Sequence, residues 1–127
     1  SPQLYADFVL LDAELTLGLP QIHTAATGID AMVHAIEAYT SKHKKNPLSD
    51  ALAREALRLL GANLIHACQD GSNRTAREGM LLGATLAGQA FSTRRSPPSM
   101  LWLTRWEGII TSRMVFLRAD AWPGAAF

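Results

Sequence analysis

Apolar residues recur every three or four positions through most of the chain, in three blocks separated by short polar breaks, and that period predicts helices rather than strands. The first block follows the turn Leu17-Gly18-Leu19-Pro20 and runs to Ser41, with Pro20 suited to a first helical turn. Its apolar set is Ile22, Ala25, Ile29, Met32, Val33, Ile36 and Tyr39, the expected inward face. After the basic loop Ser41–Asn46, Asn46-Pro47 supplies a cap and a first-turn proline for a second helix. That helix places Ala53, Ala56, Leu57, Leu60, Leu64, Ala67 and Cys68 on one side. The string Asp70-Gly71-Ser72-Asn73 breaks it, with Ser72 or Asn73 as the next cap. A third helix then runs to about Phe91 on Ala76, Met80, Ala84, Ala87 and Phe91. Gly79, Gly83 and Gly88 each cost roughly 1 kcal/mol relative to alanine in a helix, which points to close helix–helix approach. Ahead of all three, Tyr5–Leu11 is long enough for one strand or an extended segment. The expected class is all-α, a partial helical bundle with a short extended N-terminal segment.

Composition changes the picture at one place. Residues 1–91 carry a net charge of −2, whereas residues 92–127 carry +3 with five arginines and no lysine. All three tryptophans, Trp102, Trp106 and Trp122, fall in that second stretch. Two pieces of different character therefore meet near Phe91: a helical unit over 1–91 and an Arg/Pro/Trp-rich tail over 92–127. Elsewhere composition mainly excludes. The overall charge of +1 gives no reason to expect a nucleic-acid or anionic-membrane partner. No apolar run is long enough to cross a membrane, and the first residues lack the pattern of a secretory signal. Cys68 is the single cysteine, so no internal disulfide forms and a reducing, cytoplasmic location is the expectation.

One stripe carries candidate chemistry. His23, Thr27, Asp30, His34, Glu37 and Ser41 follow one another at steps of three or four residues. Asp30 and His34 thus lie one turn apart on one face, where a carboxylate oxygen and an imidazole nitrogen can share a divalent metal. Two ligands rarely hold a metal alone, and a polar stripe is also what a solvated helix face looks like. Spacing by itself leaves both readings open. His43, among three lysines, reads as a loop residue; His23 and His66 show no partner in the sequence; Cys68 reads as inert.

Residues 12–41, Asp12-Ala-Glu-Leu-Thr-Leu-Gly-Leu-Pro20 and Thr24-Ala-Ala-Thr-Gly-Ile-Asp-Ala-Met-Val-His-Ala-Ile-Glu-Ala-Tyr-Thr-Ser41, with Leu48-Ser-Asp-Ala-Leu-Ala, Ala76-Arg-Glu-Gly-Met and Leu86-Ala-Gly-Gln-Ala-Phe91, resemble the iron-containing (group III) alcohol dehydrogenase family. The resemblance covers about 90 residues with its motifs in order. It implies the helical C-terminal domain of a dehydroquinate-synthase-like fold that holds iron or zinc, joined in intact members to an α/β domain for NAD or NADP. Small alcohols and aldehydes are the implied substrates, and a homo-oligomer is compatible with it. Asp30 and His34 fall on the first two metal-ligand positions. Against the family pattern, the chain starts at the expected junction between the two domains, and no glycine-rich phosphate turn follows a strand. The motif with two further histidine ligands should follow Phe91, yet no histidine occurs after His66. The expectation is a fragment, inactive by itself; the alternative is a non-catalytic helical module that docks onto full-length subunits.

The tail has a specific expected origin. Read one nucleotide earlier, Ser99–Met100 permits CAT, a histidine codon, and Met100–Leu101 permits alanine. Trp106–Glu107 and Met114–Val115 force glycine codons, GGA and GGT, while Arg113–Met114 permits a second histidine. The two histidines fall as far apart as Met100 and Met114, in a string compatible with the missing motif. Residues 92–127 are therefore expected to be frameshifted, with a disordered or loosely collapsed tail; the correspondence fades after Leu117, and nothing accounts for residues 118–127.

Overall fold

The computed structural model describes residues 8–42, 45–92 and 115–117. Three helices dominate: α1 (Gln21–Thr40), α2 (Pro47–Gln69) and α3 (Arg74–Ser92). Two short strands, β1 (Phe8–Leu10) and β2 (Val115–Leu117), pair antiparallel with Val9 opposite Phe116. A 3-10 turn over Ala13–Thr16 links β1 to the helices. The class is all-α as expected. β1 falls within the predicted extended segment, whereas its partner comes from the tail, where no strand is predicted. The rest of the tail, and with it the expectation of disorder there, lies outside the described residues.

Local chemistry sets the helix ends. Asn46 accepts from the Ser49 amide at 2.8 Å while Pro47 takes the first helical position of α2, where its missing N–H is no loss. Of the two residues able to cap α3, Asn73 does so, accepting from the Ala76 amide at 3.1 Å. Ser72 instead serves the preceding turn, where its amide and hydroxyl both donate to Asp70 Oδ1. Pro20 sits just before α1 rather than inside its first turn, and its carbonyl accepts from the amides of His23 and Thr24.

The core is made of small side chains. Ala35 (α1), Ala56 (α2) and Ala87 (α3) form one buried cluster, with Leu57 and Leu86 against it. Ala38, Ala53 and Ala90 form a second, beside Leu52. Leu60 is the largest fully buried side chain among the described residues. Glycines let the helices close to this distance. A Cβ on Gly83 would lie 2.8 Å from Leu60 Cγ, and one on Gly79 would run into the Asn63 side chain. Gly88 has nothing within 4 Å, so the close-approach expectation holds for two of the three helical glycines and fails for that one.

The orientation of α1 departs from expectation. Thr24, Gly28, Ala31, Ala35 and Ala38 face inward, while Ile22, Ile29, Val33 and Ile36 are exposed at 72%, 52%, 49% and 48%. The physical reason is that α1 is apolar on two opposite faces. The alanine-lined faces of α2 and α3 admit the small-residue one, where a Cβ on Gly28 would already press on Leu64 and Met80. The large β-branched residues are left outside.

Candidate metal centre

The polar stripe of α1 runs between its two apolar faces. Asp30 Oδ2 lies 3.5 Å from His34 Nε2, and His34 Nδ1 lies 3.9 Å from Glu37 Oε2. The His34 side chain is 18% exposed and that of Asp30 30%, whereas Glu37 is 54% exposed. The first two are thus drawn into the protein, and a merely solvated face accounts for Glu37 better than for them. The His34 ring leans on Phe91 of α3, with centroids 5.4 Å apart and planes tilted by 60°. His34 Nδ1 is buried without a hydrogen-bond partner. Such an atom is expensive unless it finds one.

The Asp30–His34 separation suits a shared divalent ion. Oxygen and nitrogen ligands at about 2.0–2.2 Å, set at a tetrahedral angle, lie about 3.4 Å from each other. The observed 3.5 Å is one such edge, too long for a strong hydrogen bond in its place. The pair thus has the spacing of two corners of such a tetrahedron. Among the described residues, no group of three or more histidines, cysteines or carboxylates is arranged to hold an ion.

The other singled-out residues stand apart from this pair. His23 is exposed in the first turn of α1, and His66 is exposed in the last turn of α2. Cys68 is a half-buried free thiol on α2. Thr27 folds its hydroxyl back onto the His23 carbonyl at 2.7 Å, a bond internal to the helix. His43 lies outside the described residues. Lys45, from the same basic loop, sits 4.9 Å over the Tyr39 ring and 3.4 Å from Asp50 Oδ2.

A feature absent from the sequence reading supports the stripe from behind. Arg77 of α3 is 3% exposed, and its guanidinium meets neutral acceptors: Thr24 Oγ1 at 2.6 Å, the Leu19 carbonyl at 3.1 Å and the Gly71 carbonyl at 3.1 Å. These bonds fix the N-terminal turn of α1 against α3. The available signal was position, since Arg77 falls three residues before Met80 on the inward stripe of α3.

Comparison with known proteins identifies the family. The C-terminal profile of the Fe-containing alcohol dehydrogenase family matches residues 24–97, which span all three helices, and the chain belongs to that family. Sulfoacetaldehyde reductase of Bilophila wadsworthia is 45% identical over 96 residues, covering 76% of this chain and 24% of its own. The 1,3-propanediol dehydrogenase of Klebsiella pneumoniae is 51% identical over 81 residues, 64% of this chain and 21% of its own. Probable alcohol dehydrogenase EutG of Escherichia coli is 47% identical over 90 residues, 71% of this chain and 22% of its own. The chain thus spans less than a quarter of the length of these relatives. Among the described residues, no helix is long and apolar enough to cross a membrane.

Proposed function

We propose that this chain is a segment of a metal-dependent, NAD(P)-linked alcohol dehydrogenase, and that it keeps two of four metal ligands, Asp30 and His34. The other two are the histidines that a frame shift after Phe91 replaces. The observation that carries the reading is the 3.5 Å separation of Asp30 Oδ2 and His34 Nε2. In the whole enzyme a bound iron or zinc ion supplies Lewis-acid polarisation of the substrate oxygen in the interconversion of alcohol and carbonyl. This chain's own residues place the ligand pair. Phe91 sets the plane of the His34 ring, the i,i+4 spacing sets the Asp30 carboxylate beside Nε2, and Arg77 holds the start of α1 in place. With half a ligand set, the 127-residue polypeptide is expected to show no dehydrogenase activity.

Zinc titration followed by ¹⁵N NMR of the imidazole rings tests the site. The expected result is a saturable shift of His34 Nε2, with affinity at least about tenfold weaker in Asp30→Ala. A His34 ring unmoved by zinc, or one moved equally in Asp30→Ala, contradicts the reading.

A second reading is favoured by the exposed stripe Ile22, Ile29, Val33 and Ile36. A face of that character on a chain spanning less than a quarter of its relatives suits a non-catalytic module docked on a full-length subunit.

A further inference from the structure

The unpartnered nitrogen of His34 has one carboxylate within reach. His34 Nδ1 is buried and makes no hydrogen bond among the described residues, and Glu37 Oε2 stands 3.9 Å from it, one turn further along the same helix. The opposite nitrogen, Nε2, faces Asp30. The ring is held between two carboxylates in such a way that each nitrogen has its own. Phe91 packs against the ring, with centroids 5.4 Å apart. The Glu37 side chain is 54% exposed, which leaves it room to approach Nδ1 from its present 3.9 Å.

We propose that Glu37 is the positioning residue of His34: its carboxylate accepts a hydrogen bond from Nδ1–H, keeps the proton on that nitrogen and thereby leaves the Nε2 lone pair free toward Asp30 and an ion shared with it. The chemistry is that of a carboxylate–histidine–metal relay, in which the acceptor behind the ring fixes the tautomer and raises the basicity of the liganding nitrogen. The purpose of the contact rests on the metal reading given above, whereas its geometry does not. Glu37 touches neither substrate nor ion and acts through His34 alone.

The test uses the full 127-residue chain and two readouts. In metal-free Asp30→Ala, where the competing carboxylate is gone, the neutral His34 ring is expected to carry its proton on Nδ1, as read from its ring ¹⁵N shifts. Adding Glu37→Ala to that background is expected to move the proton to Nε2, and Glu37→Gln, which keeps an acceptor oxygen, to restore the first state. With zinc alone as the probe, Glu37→Ala in the otherwise native chain lowers affinity about 10- to 100-fold and Glu37→Gln recovers most of it. Because Glu37 is exposed, these variants keep the helical circular dichroism of the native chain. A tautomer that ignores Glu37 overturns the proposal whatever zinc does, and so does zinc binding at His34 that is equally tight in Glu37→Ala. If zinc never moves His34 while the tautomer still follows Glu37, the metal reading fails and the Glu37–His34 contact stands.

Discussion

Arg77 Nη1 donates to Thr24 Oγ1 at 2.6 Å and joins α3 to the first turn of α1 across 53 residues of sequence. Among the described residues its hydrogen-bond acceptors are neutral, so its charge is dispersed over Thr24, Leu19 and Gly71. Replacing it with methionine removes the desolvated charge but strands three buried or half-buried acceptors. The second effect wins, because an unsatisfied acceptor keeps its full desolvation penalty. Arg77→Met is expected to lower stability by about 2–4 kcal/mol, seen as a lower urea midpoint at unchanged slope. A midpoint equal to the native one contradicts this.

The glycines of α3 separate packing from propensity. At Gly83 a new methyl meets Leu60 Cγ at 2.8 Å and Leu59 Cβ at 3.3 Å, atoms near the root of side chains in the interface. Gly83→Ala is expected to destabilise, since overpacking of about 1–3 kcal/mol exceeds the roughly 1 kcal/mol of improved helix propensity. A Cβ on Gly88 would meet nothing beyond its own helix backbone within 4 Å among the described residues, and Gly88→Ala should stabilise by up to about 1 kcal/mol. Thermal unfolding of the two variants should shift in opposite directions.

Acid should loosen the turn between α2 and α3. The Ser72 hydroxyl and amide, both donating to Asp70, hold its carboxyl below the ordinary aspartate value. The unfolded chain binds that proton more readily than the folded one. The contribution is therefore present above the ordinary aspartate range and is lost as pH falls through the depressed folded value. Asp70→Asn should flatten the fall of stability in that acid window and leave its pH dependence near neutrality unchanged, as followed by circular dichroism.

The outward stripe of α1 should make the chain self-associate. Ile22, Ile29, Val33 and Ile36 form a continuous apolar surface opposite the core-facing side. Sedimentation velocity is expected to show mass rising with concentration, and Ile29→Lys/Ile36→Lys to abolish the rise. A native chain that stays monomeric at all concentrations removes the support for a docking module.

Periodicity and caps carried much of this structure into the sequence. Asn46-Pro47 and Asn73 name the starts of α2 and α3 because each satisfies backbone donors locally, and local chemistry is visible in a string. The inward face of α1 was not legible, because a helix with two apolar faces contains no statement of which one its neighbours will accept. The deciding facts lie on α2 and α3, in the alanines and glycines that admit only small residues. Asp30 and His34 could be paired from spacing, but their partial burial, the contact with Phe91 and the orphaned Nδ1 depend on α3 lying across α1. The role of Arg77 is not legible in the sequence either, because an arginine on an inward stripe looks like a boundary of that stripe until its acceptors, up to 58 residues away, are in place.

The central claim is that the ligand set is cut in half by a change of reading frame after Phe91. The most direct measurement is the sequence of the encoding DNA, from upstream of Ser1 through the codons of Met100 and Met114. The account predicts one missing or extra base near the Ser92 codon, with histidine codons overlapping Ser99–Met100 and Arg113–Met114 in the restored frame and a dinucleotide-binding region encoded upstream. A confirmed frame with no such base, or overlapping codons that do not spell histidine, would contradict it.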